Sequence, residues 1–203
     1  MAGAAKPVIR ARRCGGAFPA RVAAAFTDGS RPSWVVIDVE KDRYEVTANP
    51  SALGTNEIVL ASVSGGPRIQ PRDRRRPLVK HSWGPTTAEA FMWMLRMEGA
   101  RRRGLRPVLE AVARVPTGAV RGCEASDLAR FAATARLVMP FRADCLTYSA
   151  MLTVLCRLRG IDASLVVGVY AYPFLAHAWC EVDGRPVDDD GELAERLAVV
   201  LRI

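Results

Sequence analysis

The chain has 203 residues and a net charge of +8, with half of its residues hydrophobic and a quarter charged. This composition excludes an intrinsically disordered polymer and leaves room for one ordinary domain or two small ones. No uninterrupted apolar run approaches the length of a transmembrane helix, and no apolar segment follows the arginines near the N-terminus. We therefore expect neither a membrane span nor a secretory signal, and predict a cytoplasmic protein.

Much of the positive charge lies in two arginine-rich runs, at 72–76 and at 101–103. Such runs fit either an acidic peptide or nucleic-acid partner, or a solvated face and a basic linker. Aromatic side chains do not alternate with these arginines, as they would on a surface that stacks bases. The pattern favours the solvated face, and we predict no nucleic-acid partner.

The N-terminal region contains one clear β pattern. Residues 1–31 are rich in Ala, Arg and Gly and show little periodicity. Within 34–47, the sequence WVVIDVEKDRYEVT has two strand-like runs around a charged turn at 40–42. This pattern predicts a β-hairpin. Another short apolar run follows at 58–61.

The best candidate boundary in the chain is the segment 64–85, where glycines and prolines are scattered among arginines. Glycine and proline interrupt regular structure, so a segment rich in both favours a linker. We therefore predict one domain at 1–80 and a second at 81–203.

The pattern becomes helical after this boundary. Residues 86–89, TTAE, fit a capping box in front of an apolar stripe and predict the start of a first helix. A second helix is predicted over 108–113 and a third over 126–138, where apolar residues recur on one face. Pro140 follows the third helix closely and indicates its end.

The last third of the chain begins with a further helical pattern. Asp144 can cap a helix over 145–159, and Gly160 is a natural residue to end it. Residues 162–170 then form an apolar run that predicts a strand buried on both faces, hence central in its sheet. A hairpin is predicted next, with strands at 176–182 and 185–189.

Cysteine and histidine usage limits the chemistry that this chain can perform. There are five cysteines: Cys14, Cys123, Cys145, Cys156 and Cys180. Their odd number and the lack of a C-x-x-C motif argue against a disulfide framework or a zinc site. Of the two histidines, His81 lies in the segment rich in Pro and Arg and is expected to be solvated. A histidine base would therefore be His177.

Cys145 occupies a position that activates a thiol. A thiol attacks carbonyl groups as the thiolate, which a helix N-terminus and a nearby imidazole both stabilise. Cys145 would be the first residue of its helix, where unpaired N–H groups favour an anion. The same N–H groups could receive the oxyanion of a tetrahedral intermediate.

A base such as His177 needs an acceptor that orients its far ring nitrogen, and three aspartates follow on the returning strand. A two-residue turn at 183–184 would place Asp190 opposite His177 and Asp188 diagonally on the same face. A three-residue loop with a bulge would instead place Asp189 opposite His177. Spacing alone leaves the choice open, although it slightly favours Asp189.

Several short motifs in the C-terminal part together resemble the lasso-peptide leader peptidases. These motifs are DCLTYS at 144–149, RGIDA at 159–163, LVVGV at 165–169, PF at 173–174 and HAW at 177–179. The resemblance is strongest over 140–203, where the family has a short helical tail. It is weaker over 33–48, which is similar to the hairpin of a fused precursor-recognition domain.

The resemblance implies an α+β fold in which a transglutaminase-like or papain-like domain packs helices on an antiparallel sheet. Carried over by position, it implies Cys145 as nucleophile, His177 as base and Asp189 as the acid of the triad, and with them the bulged register. Asp188 stands where the family often has Asn. Cys180 is a departure, because the family usually has Val after the Trp.

The resemblance also implies a substrate and a partner. The substrate would be a ribosomally made precursor whose leader is cut from the core peptide. An asparagine-synthetase-like cyclase that uses ATP would then join the new α-amine to a side-chain carboxylate. The N-terminal module, similar to a winged-helix-like recognition domain, would hold the leader by adding it as a strand to a sheet edge. No metal or cofactor is expected on this chain.

Two other functions fit the same sequence. A transglutaminase-like acyltransferase would keep the site and replace water with an amine. A basic adaptor that binds peptide or nucleic acid would leave Cys145 inert.

Overall fold

The structure is a computed structural model that describes residues 21–28, 31–47, 58–64, 85–119, 123–170, 174–189, 194 and 197–203. The arginine run at 72–76, His81, Asp190 and most of the predicted boundary lie outside the described residues. The chain forms strands β1 (Arg21–Asp28), β2 (Arg31–Asp38), β3 (Arg43–Thr47) and β4 (Ile58–Ser64), helices α1 (Pro85–Arg101), α2 (Leu105–Ala113), α3 (Ala125–Leu137) and α4 (Cys145–Leu158), and strands β5 (Ala163–Tyr170), β6 (Leu175–Val182), β7 (Arg185–Val187) and β8 (Ala198–Arg202).

The first four strands form a mixed sheet in the order β3-β2-β1-β4. The predicted hairpin is confirmed: β2 and β3 pair antiparallel, with Val35 opposite Val46. Strand β1, which lacks a strand-like pattern, pairs antiparallel with β2 and parallel with β4. Val35 and Val39 are fully or almost fully buried in the same apolar core as the helices. The hairpin therefore packs onto the rest of the chain.

The last four strands form an antiparallel sheet in the order β7-β6-β5-β8. Strand β5 lies between two neighbours and is buried along nearly its whole length, as its apolar sequence predicts. The C-terminal residues 198–202 form a strand, so the expected helical tail is wrong for them. Val199 and Val200 explain the difference, because β-branched side chains favour strands.

The four helices pack against this second sheet, and α4 lies at the centre of the layer, in contact with all three other helices and with β5 and β6. Every side chain from Leu146 to Cys156 is buried. Helix α1 begins at Pro85, so Thr86 lies inside the first turn instead of capping it. Proline suits this first position because its missing N–H would have no partner there. The predicted α+β arrangement of helices on an antiparallel sheet is thus confirmed.

The far end of α4 is fixed by a partly buried cation, Arg157. The Arg157 guanidinium donates hydrogen bonds to the backbone carbonyls of Val112, Ala163 and Ile203, each at 2.9 Å. These bonds connect α4 to α2 and to both neighbouring strand segments. The orientation of α4 is therefore set from its C-terminal end, which in turn fixes where its N-terminus points.

In the described part of the chain, none of the helices has the length and apolar character needed to cross a bilayer. The division into domains at 1–80 and 81–203 stays a prediction.

Candidate active site

Cys145 is the first residue of α4, as predicted. Asp144 precedes it in an extended conformation, and its Oδ1 accepts a hydrogen bond from the Thr147 backbone N–H at 2.7 Å. This N-cap satisfies one of the unpaired donors of the first turn and stabilises the helix by about 1 kcal/mol. The helix therefore starts at Cys145, whose partly exposed side chain lies at the positive end of the dipole.

His177 lies near the start of β6, which packs directly on α4. The next residue along, Ala178, accepts a hydrogen bond through its carbonyl from the Ser149 hydroxyl at 2.9 Å. That bond joins the strand to the second turn of the helix, beside the thiol. As a result, the imidazole of His177 and the thiol of Cys145 lie close enough to shift each other's pKa.

Gly168 leaves room for this part of the sheet. It pairs with His177 across β5 and β6, and a Cβ atom there would lie 2.8 Å from Leu197 Cβ and 2.9 Å from the Trp179 ring. Such distances are shorter than van der Waals contact, so only glycine allows the three segments to approach this closely. The backbone beside His177 is therefore held by tight packing on both sides.

The electrostatics of the pair favour a thiolate and an imidazolium. Burial by itself raises the pKa of the Cys145 thiol, but hydrogen bonds to His177 and to the Ala178 backbone outweigh burial and hold that pKa below its ordinary value of 9.0. Burial by itself lowers the pKa of His177, whereas hydrogen bonds to Asp189 and Cys145 raise it to about 9. Between the two pKa values the charged pair is the favoured state.

Asp189 contacts the far side of the imidazole. Its Oδ2 lies 2.5 Å from His177 Nε2, which leaves Nδ1 as the ring nitrogen for the thiol. The register that was expected to produce this contact is wrong, however. Val182 pairs with Arg185, so the hairpin has the two-residue turn, with left-handed Asp183 and Gly184.

The contact between Asp189 and His177 instead depends on the end of β7. The ladder stops at Val187, and Asp188 adopts a left-handed conformation with φ of 57°. This residue redirects the chain, so that Asp189 returns toward the imidazole without being its cross-strand partner. Asp188 turns to the other side, where its carboxylate accepts a hydrogen bond from the Tyr148 hydroxyl. The third candidate, Asp190, lies outside the described residues.

The remaining cysteines have other surroundings. Cys156 and Cys180 are buried and contact each other between α4 and β6. The neighbouring Cys180 thiol and burial both raise the pKa of Cys156, which keeps it protonated and unreactive. Cys123 is half-buried near the start of α3, with its Sγ 3.8 Å from the Glu124 carbonyl oxygen. Among the described cysteines, Cys145 is therefore the one with an imidazole partner.

A cavity of about 240 Å³ opens at Cys145 and His177. Part of its lining comes from the N-terminal hairpin, which sequence patterns did not connect with the site. Arg101, near the end of α1, also borders it and bridges two acids: Nη1 lies 2.5 Å from Asp42 Oδ2, and Nε lies 3.2 Å from Asp144 Oδ2. Among the described residues, no cluster of His, Cys, Asp and Glu could hold a metal ion.

The two pKa shifts predict an unusual pH profile for alkylation of Cys145. The thiolate fraction rises as pH passes through the lowered pKa of the thiol, so carbamidomethylation by iodoacetamide should already be fast at neutral pH. In His177→Ala, the imidazole no longer opposes the effect of burial, so the pKa of Cys145 should rise and fast alkylation should begin at higher pH. Rates measured by peptide mass spectrometry from pH 5 to 10 test this, with Cys123 as the internal reference. Equal profiles for Cys145 and Cys123 would contradict it.

Parts of this chain are similar in sequence to known proteins. The family model described as Transglutaminase-like superfamily matches residues 86–202. The chain is also 43% identical over 63 residues to the microcin J25-processing protein McjB of Escherichia coli. That match covers 31% of this chain and 30% of the relative, so it spans well under half of either protein. No solved structure matches. The predicted resemblance to McjB-type processing proteins with a transglutaminase-like core is confirmed.

Proposed function

Because this chain belongs to the transglutaminase-like superfamily, we propose that it is a cysteine endopeptidase that removes the leader from a lasso-peptide precursor. One observation carries the proposal: the Cys145 thiol sits at a helix N-terminus against His177, whose Nε2 is 2.5 Å from Asp189. Such a trio is the arrangement required for nucleophilic attack on a carbonyl group. The role of the relative McjB, processing of microcin J25, supports a peptide precursor as substrate.

The proposed reaction begins with the charged pair. The Cys145 thiolate attacks the scissile carbonyl carbon, and the resulting oxyanion accepts a hydrogen bond from the Cys145 backbone N–H. His177 donates its proton to the leaving amine, the peptide bond breaks, and a thioester to Cys145 remains. His177, now neutral, takes a proton from water as the water attacks the thioester. The acid product leaves, and the thiolate and imidazolium are restored.

Asp189 has a positioning role in this scheme. A carboxylate on Nε2 holds the imidazole with Nδ1 toward the sulfur, and its charge stabilises the imidazolium. Both effects are required for catalysis. His177 can protonate the leaving amine only if its ring faces the reacting atoms and has kept its proton, and Asp189 favours both conditions.

The N-terminal sheet is the proposed leader-binding module. Strand β3 stands at the end of the sheet order among the described strands, and most of its side chains are exposed. An extended peptide can pair with such an edge. Cleavage would release a core peptide with a free α-amine, which is the substrate that an asparagine-synthetase-like cyclase needs. That cyclase is the proposed partner.

The test is incubation of the purified protein with a short precursor peptide encoded beside its gene, followed by mass spectrometry. We expect two fragments whose masses add up to the precursor plus one water. The same reaction with an added primary amine separates hydrolysis from acyl transfer, because an acyltransferase would give the amine adduct. An intact precursor, with Cys145 no more reactive than Cys123, would contradict the enzyme and favour a binding adaptor.

A further inference from the structure

The cavity at Cys145 and His177 is built from segments that lie far apart in the sequence. Its walls come from the hairpin β2–β3, from the end of α1, from the starts of α2 and α4, and from β5 and β6. The larger apolar side chains in the lining are Ile37, Tyr44, Leu105, Leu146, Val167 and Phe174. A concave apolar surface beside a reactive group is typical of a binding subsite. The hairpin therefore borders the space that a substrate would occupy.

An aromatic pair joins the two parts of the chain at this cavity. The rings of Tyr44, from β3, and Phe174, three residues before His177, stack with centroids 4.0 Å apart and planes 12° apart. Tyr44 is nevertheless 61% exposed. A ring that stacks on one face and is open on the other can receive an apolar group of a ligand.

Ion pairs hold the tip of the hairpin in place. Arg101 joins Asp42 in the turn to Asp144, the cap of α4, at 2.5 and 3.2 Å. Arg106 Nη1 lies 2.9 Å from Glu40 Oε1, on the other side of the same turn. These contacts fix the hairpin relative to the first residue of α4. They also pair charged groups with one another and so leave the apolar side chains to face a ligand.

We propose that the β2–β3 hairpin is one wall of the substrate cleft and that Tyr44 is a specificity-determining residue. Its ring contacts an apolar side chain of the peptide next to the scissile bond. This inference rests on the proposed function and deepens it. If the hairpin only held a distant part of the leader, changing it would alter the cleavage of long substrates alone. If it is a wall of the cleft, changing it also alters the rate at which Cys145 reacts with a reagent no larger than one side chain.

The experiment uses two alkylating reagents of equal chemistry and different size, iodoacetamide and N-benzyl iodoacetamide, on the full chain. Second-order rates at Cys145 are divided by those for free N-acetylcysteine. We expect the wild type to prefer the benzyl reagent by about tenfold, since an aromatic contact contributes roughly the energy that such a factor requires. Tyr44→Ala should lose that preference and keep the iodoacetamide rate, whereas Tyr44→Phe should retain both.

Val46→Ala is the matched control. Val46 lies two residues along the same strand, on the same face, and is not part of the cavity lining. It should leave the preference for the benzyl reagent intact, and thermal melting should show that both alanine variants are folded. A preference that survives in Tyr44→Ala, or one that is lost equally in Val46→Ala, would overturn the inference while the thiol stays reactive. A Cys145 that reacts no faster than N-acetylcysteine with iodoacetamide would overturn the proposed function itself.

Discussion

Cys145→Ala and His177→Ala are each expected to abolish cleavage of the precursor, with a loss of more than about 10⁴-fold, as for a triad that loses its nucleophile or its base. The first variant removes the atom that attacks. The second removes the group that keeps the thiol ionised, because burial without His177 raises the pKa of Cys145. It also removes the donor that protonates the leaving amine. Cleavage is measured by mass spectrometry under single-turnover conditions.

The double variant separates a shared mechanism from two independent losses. Residues that act in one chemical step are strongly non-additive, so Cys145→Ala with His177→Ala should be no less active than either single variant. Cys123→Ser is the matched cysteine control and should cleave at the wild-type rate, because Cys123 lies near the start of α3, away from the cavity lining. Cleavage retained in purified Cys145→Ala would rule out the proposed nucleophile.

Local sequence patterns predicted most of the elements that hold the thiol. The cap at Asp144, the helix that starts at Cys145 and the central strand β5 all follow from short-range rules, and all three are present. These features depend on neighbours within a few residues, where capping and burial leave a clear pattern. The start of α4 is fixed by one hydrogen bond, which the backbone N–H of Thr147 donates to the Asp144 side chain three positions earlier.

Features that depend on distant partners were missed. Strand β1 has the sequence RVAAAFTD, in which three alanines weaken any strand pattern, and it becomes a strand through pairing with β2 and β4. The link between Arg101 and Asp42 joins residues 59 positions apart. Long-range contacts of this kind have no periodicity in a single sequence. The role of the hairpin in lining the cavity was therefore visible only in the fold.

The expected hairpin register was wrong for a different reason. The expected register assumed that β7 is a straight strand up to Asp189. In a straight strand, the turn length alone decides which residues of β6 and β7 lie opposite each other. The left-handed conformation of Asp188 breaks that rule, because one residue with φ of 57° changes the direction of everything after it. Aspartate tolerates this conformation better than most residues, but no sequence pattern indicates which aspartate will adopt it. The predicted contact of Asp189 with His177 thus depends on a bend at Asp188 that residue spacing could not predict.

Asp189→Ala is expected to lower kcat/KM by about 10²- to 10⁴-fold, as when a triad loses its orienting acid. Without the carboxylate, the ring of His177 is free to turn, and burial is opposed by one hydrogen bond fewer, so the pKa of His177 falls from about 9. Because Asp189 helps to raise the pKa of His177 in the folded protein, the imidazolium persists up to about pH 9 in the wild type. In the variant, the imidazolium is lost at lower pH, and the alkaline limb of kcat/KM should move down.

Two asparagine variants separate the positioning effect of Asp189 from the effect of its charge, and they also test the bend at Asp188. Asp189→Asn keeps an oxygen that can accept from Nε2–H, so it should retain more activity than Asp189→Ala but show the same downward shift of the alkaline limb. Asp188→Asn keeps a residue type that tolerates a left-handed conformation and removes only the charge beside the Tyr148 hydroxyl. It should therefore retain both rate and pH profile. A larger loss in Asp188→Asn than in Asp189→Ala would assign the imidazole partner to Asp188, because a carboxylate that orients His177 must cost more to remove than one that contacts Tyr148.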